Sequence, residues 1–406
     1  MNSEIRDIML RKIFDSRGQL TVEATISSNS GLVASASAPS GTSKSEYEVA
    51  AFPISIDACI RNFLKSKKEI IGIDAADQQA LDEKLHEIGG EGLKAIGGSI
   101  STAVSIANAR LAAAVEGMEL YDYVYSRFTR RFVAKKRIPR LLGNVIGGGV
   151  HSKNGMNIQE ILVSPDSGSL FQNAVLSEEL HKIVGDMIAK KSKAGIGRNI
   201  EGAWNSPFAE AENLGMVKRA IGYINKRYNV KVDVGIDIAA SEFYTNGKYK
   251  YKWGVLDTDG QLELVAKLKN RYGIYYIEDP FDENDFKSFA RLTAALKGSA
   301  LVVGDDLYAT NPKRLEKGIE ERATNAILIK VNQIGTLSDT IKVVEIATKK
   351  GVKSIISHRS GETNDAFIAH LAVAFGAPFI KSGISGGERV SKINELLRIE
   401  AIEAAD

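Results

Sequence analysis

The sequence predicts an α/β protein. A modified, TIM-like (β/α)8 barrel, residues 138–406, follows a smaller α+β domain, residues 1–137. Three observations carry this prediction. Eight short apolar segments of strand character recur beyond Arg137, and eight is a number that closes a barrel. The last six alternate with helical patterns, which argues for parallel strands joined by right-handed crossovers. Each of those six also runs into a polar residue, at the end where barrel loops build a site.

The smaller unit comes first. In "GQLTVEATISSNSGLVASASAPSG", Thr21, Val22, Thr25 and Ile26 suit strands, and the Ser/Gly stretches suit hairpin turns. From Glu48 to about Tyr125 the pattern turns helical. "STAVSIANARLAAAVEGMELYDYV" is rich in Ala and Leu at the spacing of a mostly buried helix. "RFTRRFVAKKRIPR" then carries seven basic residues between Arg127 and Arg140. A nucleic-acid arm and a solvated interdomain connector both fit that charge. The connector is preferred, because Phe128, Phe132 and Val133 interrupt it.

The barrel strands are "RLLGNVI", "EILVSP", "VDVGIDI", "IYYIEDP", "ALVVGDD", "AILIKVN", "SIISHR" and "FIKSG". The first two stand apart. The glycine-rich "GGGVHSKNGMNIQ" between them is too short for a crossover helix, so they should pair antiparallel. Two helices must then fit between "EILVSP" and "VDVGIDI". The barrel spans roughly 265 residues, near the usual ~250.

Composition excludes some classes. With 406 residues, 44% hydrophobic and 25% charged, the chain reads as an ordinary soluble globular protein. A net charge of +3 gives no support for nucleic-acid or membrane binding. Cys59 is the single cysteine, so neither an intrachain disulfide nor a thiolate metal cluster can form. No apolar run approaches the ~18 residues of a membrane span. The N-terminus "MNSEIRDIMLRK" has no secretory apolar stretch, and a cytoplasmic location is expected by default.

The polar strand ends are Asp237, Glu278, Asp305, Lys330, His358 and Lys381, separated by 41, 27, 25, 28 and 23 residues. Each interval is one strand–helix unit, so all six should face one rim. Three carboxylates gathered there repel one another unless a cation sits between them. All-oxygen ligation by Asp237, Glu278 and Asp305 suits a hard divalent ion, and magnesium fits best. Asp306 is read as facing the other side of the strand, as a structural acceptor. Lys330 reads equally as a base, its pKa lowered by neighbouring positive charge, or as the partner of a carboxylate. Arg359, beside His358 and Ser360, suits an anion, with a surface ion pair as the plain alternative. Glu160 and Glu201 form a candidate acid pair facing the lysine, although loop charges of this kind are usually ordinary.

These residues resemble those of the enolase family (phosphopyruvate hydratases). The matching stretches include "FDSRGQLTVEA", "HSKNGMNIQE", "YIEDPF", "VGDDLYATNPKRL", "ILIKVNQIGT", "SHRSGETND" and "GERVSKINELLRIE", in the family's order. The resemblance implies Mg2+-dependent, reversible dehydration of 2-phosphoglycerate to phosphoenolpyruvate, in glycolysis and gluconeogenesis. It also implies a homodimer or a larger ring. Asp237, Glu278 and Asp305 resemble the ligands of one Mg2+. Ser43, in the mobile "SGTSKSE" loop, resembles a ligand of a second that arrives with substrate. Lys330 resembles the base and Glu201, supported by Glu160, the acid. His151, Gln159, His358, Arg359, Ser360 and Lys381 resemble substrate contacts and closing residues.

The chain departs from the family pattern on loops. Gln19-Leu20 replaces Asn-Pro, and Ser43-Lys44-Ser45 replaces Ser-Thr-Gly in the lid. Gly147-Gly148-Gly149 replaces Asn-Gly-Gly before the hairpin histidine, and His151-Ser152-Lys153 replaces His-Ala-Gly. Ile200 replaces an acid beside Glu201. These leave two alternatives open: a different phosphorylated hydroxy acid as substrate, or a weakly catalytic relative kept as a binding protein.

Overall fold

In a computed structural model, the structure describes residues 3–41, 45–152, 155–193 and 195–405. The calls on Ser43, Lys44 and Lys153 lie outside these residues, as does the side chain of His151.

The chain opens as an antiparallel meander of β1 (Ile5–Phe14), β2 (Leu20–Ser28) and β3 (Val33–Ser37). Its β1–β2 turn is tied by Asp15, whose carboxylate accepts from the N–H groups of Arg17 and Gln19 at 2.8 and 2.9 Å. Val22, Ala24 and Ile26 alternate inward on β2, as a strand half-covered by helices requires. The longer helices are α1 (Ile56–Ser66), α2 (Gln78–Gly89) and α3 (Gly97–Glu116), and a short helical segment, Leu120–Val124, follows the break at Gly117. The helical reading from Glu48 therefore starts only at Ile56. Ahead of it, backbone groups are committed elsewhere: Val49 N–H to Gln333 O, and Ala50 O to Gly98 N–H. The Ala- and Ser-rich α3 is buried along nearly its whole length, since small side chains let it sit close against β2 and β3.

The basic run is mostly compensated rather than solvated. Arg127 pairs with Glu116, Arg131 with Glu345, Arg140 with Asp233, and Lys136 with both Asp122 and Glu403. Val133 is buried, and Phe128 and Phe132 pack on the core.

The barrel strands are β4 (Arg140–Gly147), β5 (Glu160–Asp166), β6 (Lys231–Asp237), β7 (Ile274–Glu278), β8 (Leu301–Gly304), β9 (Ala326–Ile329), β10 (Lys353–Ser357) and β11 (Phe379–Lys381). β5 runs antiparallel to both β4 and β6; every later neighbour is parallel, and β11 pairs with β4 to close the ring. Two helices, α4 (Leu170–Ser192) and α5 (Glu210–Tyr228), fill the β5–β6 connection, as the sequence requires. The longest interval, Asp237 to Glu278, also holds a small three-stranded sheet over Tyr244–Thr245, Lys248–Tyr251 and Gly254–Leu256. The remaining crossovers are α6 (Thr258–Tyr272), α7 (Phe286–Leu296), α8 (Pro312–Glu320), α9 (Leu337–Lys349) and α10 (Phe367–Ala374), with α11 (Gly387–Glu403) last. The starts of α6 to α9 are capped by Asp257, Asp285, Asn311 and Thr336, each accepting a backbone N–H of the first turn.

Inside the ring, Leu142, Leu162, Tyr276, Leu301, Val303, Leu328, Ile355 and Phe379 form a cluster of their own. The barrel is a packed core, so chemistry is confined to its ends. Among the described residues no helix is long and apolar enough to cross a membrane.

Candidate active site

Parallel pairing brings the C-terminal ends of β6 to β11 to one mouth. Asp237, Glu278 and Lys381 are the last residues of their strands; Asp305, Lys330 and His358 directly follow theirs. Because β5 runs the other way, its first residue arrives at the same rim, and Glu160 stands in register with Asp237. Glu201 enters on a turn held by Asn199, whose Oδ1 accepts from the N–H groups of Glu201 and Ala203 at 2.9 and 3.0 Å. Gly202 makes that turn possible: its φ is +79°, and a side chain there would meet Ser385 O. Asn144 donates to Glu201 Oε2 at 3.2 Å.

One narrow cavity is lined by Gln159, Glu160, Glu201, Asp237, Asp305, Lys330, His358, Arg359, Ser360 and Lys381. Glu278 is fully buried and joins these residues through Lys381. Lys381 Nζ is 2.9 Å from Asp237, 2.9 Å from Glu278 and 3.0 Å from Glu160. Asp305 pairs with Lys330 and also accepts from Gln333 Nε2 at 3.2 Å. The cation that Asp305 meets in this structure is thus Lys330, the plainer of the two sequence readings.

That pairing also reverses the expected shift. Burial pulls the Lys330 ammonium down, but Asp305 outweighs it and the net direction is up. Asp305 itself is held below the usual carboxylate range: burial opposes ionisation, and the charge of Lys330 overcomes it. Asp306 does not face away. Its carboxylate lines the cavity, and oxygens of Asp279, Asp305 and Asp306 all lie within 4.8 Å of one another. The reason is a tight turn after β8, in which Tyr308 and Ala309 N–H groups both return to Asp305 O. The turn breaks strand alternation.

The remaining carboxylates show what the mouth lacks. Burial first, then like charge, drives Glu278, Asp279 and Asp306 well above their ordinary range, and Asp237 upward. Among the described residues the cavity lining holds six carboxylates against the fixed cations Lys330, Arg359 and Lys381. His358 adds no charge, because burial and then Arg389 push its pKa well below 6.5. Gln159 donates toward Asp237 at 3.4 Å, and its buried Oε1 has no hydrogen-bond partner among the described residues. An all-oxygen, anion-rich mouth of this kind fits a hard divalent cation.

Several functional neighbours escape sequence reasoning. Asp279, at φ +39°, accepts from the N–H groups of Asp305 and Asp306 at 3.1 and 2.8 Å and so shapes the turn. Arg359 is buried between Asn332 Oδ1, at 3.0 Å, and Glu48, at 3.0 Å, and packs against Gly41. It is no surface pair. Arg389 and Lys392 of α11 reach the His358–Thr363 loop from behind. Their signal was two basic residues three apart on an otherwise apolar helix face.

Comparison with known proteins agrees with this arrangement. The family model "Enolase, N-terminal domain" matches residues 5–124, and "Enolase, C-terminal TIM barrel domain" matches 135–405. Curated relatives named enolase include those of Picrophilus torridus and Thermoplasma acidophilum, both 45% identical, and of Methanocorpusculum labreanum, 43% identical. Each alignment covers 98% of this chain and 99% of the relative. Matched end to end in this way, the chain belongs to the enolase family of lyases, the phosphopyruvate hydratases.

Proposed function

We propose that the chain interconverts 2-phosphoglycerate and phosphoenolpyruvate with the help of Mg2+, as a step of glycolysis and gluconeogenesis. The observation that carries this reading is the joint arrival of Lys330, Asp237, Glu278, Asp305, Glu160 and Glu201 at one buried mouth. Asp237, Glu278 and Asp305 would hold the metal, with Ser43 serving a second ion. When bound, the metal supplies positive charge against the anion that builds on the substrate carboxylate.

The chain's own groups do the rest. Lys330 takes the proton alpha to the carboxylate, which requires its release from the ion pair with Asp305. Glu201 and Glu160 lie on the same cavity and can move a proton to the departing hydroxyl. Arg359, beside Ser360 and backed by Asn332, presents a guanidinium to the phosphate. Gln159, His151, His358 and Lys381 complete the substrate shell. The first domain, residues 1–137, acts as a cap: Ser40 pairs with Gly361 and Asn332 donates to Pro39 O, next to the lid.

The altered acid loop is compatible with this chemistry. Ile200 is 39% exposed and is absent from the cavity wall, whereas Glu201 is buried in it. The test is direct. Purified protein with Mg2+ should generate phosphoenolpyruvate absorbance from 2-phosphoglycerate, and Lys330→Ala should lose about 10²–10⁴-fold in rate. Absence of turnover by the unaltered chain, or a Lys330→Ala variant of normal rate, defeats the reading.

A further inference from the structure

At the opposite end of the barrel, where β10 and β11 begin, lies a cavity of about 370 Å3. Its size suits a small organic molecule. Lys135, Arg137 and Lys353 border it, and no carboxylate lines it. Their neighbours in the basic run, Arg127, Arg131, Lys136 and Arg140, all have acidic partners. Lys135, Arg137 and Lys353 have none among the described residues.

A second observation is independent of charge. Ser354, second residue of β10, is 7% exposed and lines the same cavity. Its Oγ has no hydrogen-bond partner among the described residues. Leaving a buried hydroxyl unpaired is costly, and a rotation of the side chain toward the cavity would let an entering acceptor satisfy it. Val352 and Phe375 add an apolar wall.

We propose that this cavity binds a phosphorylated organic anion of mononucleotide size. Its apolar body would lie on Val352 and Phe375, and its phosphate oxygens would meet Arg137, Lys353 and Ser354. Uncompensated cations around a concave, largely apolar wall favour such a ligand over a nucleic-acid strand, which needs an open basic track.

The experiment is titration calorimetry of the whole chain, without divalent cations, using ADP, adenosine, inorganic phosphate and a single-stranded oligonucleotide as probes. ADP should bind once per chain, phosphate more weakly, and adenosine without measurable heat. Arg137→Ala/Lys353→Ala should weaken ADP about tenfold or more, since charge-assisted hydrogen bonds are lost. Ser354→Ala should weaken it several-fold without lowering the thermal midpoint, because the buried hydroxyl gains nothing in the free protein. Arg359→Ala, in the other mouth, should leave ADP binding intact. Phosphoenolpyruvate formation by the Arg137, Lys353 and Ser354 variants should be unchanged, which separates this proposal from the reaction proposed above. It is overturned if ADP gives no saturable heat, if the double variant binds ADP at full strength, if Arg359→Ala abolishes binding, or if only the oligonucleotide binds.

Discussion

Arg389 donates from Nη1 to Nδ1 of His358 at 2.5 Å, with the guanidinium fully buried. Because arginine is always a donor, Nδ1 must be the accepting nitrogen, which assigns the ring proton to Nε2. The same guanidinium donates to Arg359 O at 2.7 Å and Ser360 O at 2.9 Å. One side chain from α11 thereby holds three consecutive residues of the mouth.

Arg389→Met should break this support, because it strips a donor from three buried acceptors at once. We expect a loss of about 3 kcal/mol or more in urea unfolding, the cost of leaving such groups unmade. Turnover should fall on the order of 10²-fold through misplacement of Arg359 and His358, with Arg389→Lys recovering part of it. A Met variant that keeps both stability and kcat would show that the loop holds its own shape.

Lys381 offers a second test, through metal addition. Its ammonium is shared by Glu160, Asp237 and Glu278, all buried. Lys381→Met leaves those carboxylates to repel one another and should cost about 3–5 kcal/mol in metal-free buffer. A divalent cation that binds only the folded mouth restores stability by mass action. Thermal melts with and without Mg2+ should therefore show a larger gain for Lys381→Met than for the unaltered chain. Equal gains would mean that the cation does not bind at these carboxylates.

The fold was legible because strand–helix alternation and the shortness of the β4–β5 link are local properties of the chain. The rim residues were legible for the same reason: a strand's last residue is fixed in direction once the strand is parallel. Asp306 was misread because alternation fails where the chain leaves β8 in a tight turn. Lys330 was half-read. Its partner is chosen by the distance between β8 and β9 side chains, which spacing does not encode. Asp279, Glu48 and Arg389 act through tertiary contacts across 26, 311 and 31 positions, so no local pattern could expose them.

The flank of the proposed lid loop provides a third prediction. Ser45, where the family usually has glycine, donates from Oγ to Glu283 at 2.6 Å, and Tyr47 OH donates to Asn284 Oδ1 at 2.9 Å. Arg314 stacks 3.6 Å above the Tyr47 ring. Ser45→Gly removes the latch and restores backbone freedom, so the flank should open more readily. Limited proteolysis within residues 40–48 should quicken, and KM should rise with kcat held or raised. Unchanged cleavage and KM would place the closing contacts elsewhere, with the Tyr47–Arg314 stack as the remaining anchor.

A fourth prediction concerns pH and the join between the two parts of the chain. His86 Nε2 on α2 lies 2.6 Å from Asp339 Oδ2 on α9. The hydrogen bond to Asp339 raises His86 above 6.5 despite its partial burial. Burial alone would raise Asp339, yet His86 and Thr336 bring it down to about 2. A histidine raised on folding contributes fully below its unfolded value of 6.5 and loses that contribution as pH climbs through the folded value. A lowered aspartate contributes fully above its unfolded 3.8 and loses it as pH falls toward 2. The pair therefore stabilises most between 3.8 and 6.5. The thermal midpoint of the unaltered chain should exceed that of His86→Gln by most near pH 5 to 6, with the gap narrowing by about pH 9. Since the imidazole is 44% exposed, molar salt should also narrow it. A gap that stays constant from about pH 5 to 9 would mean the contact acts through packing rather than charge.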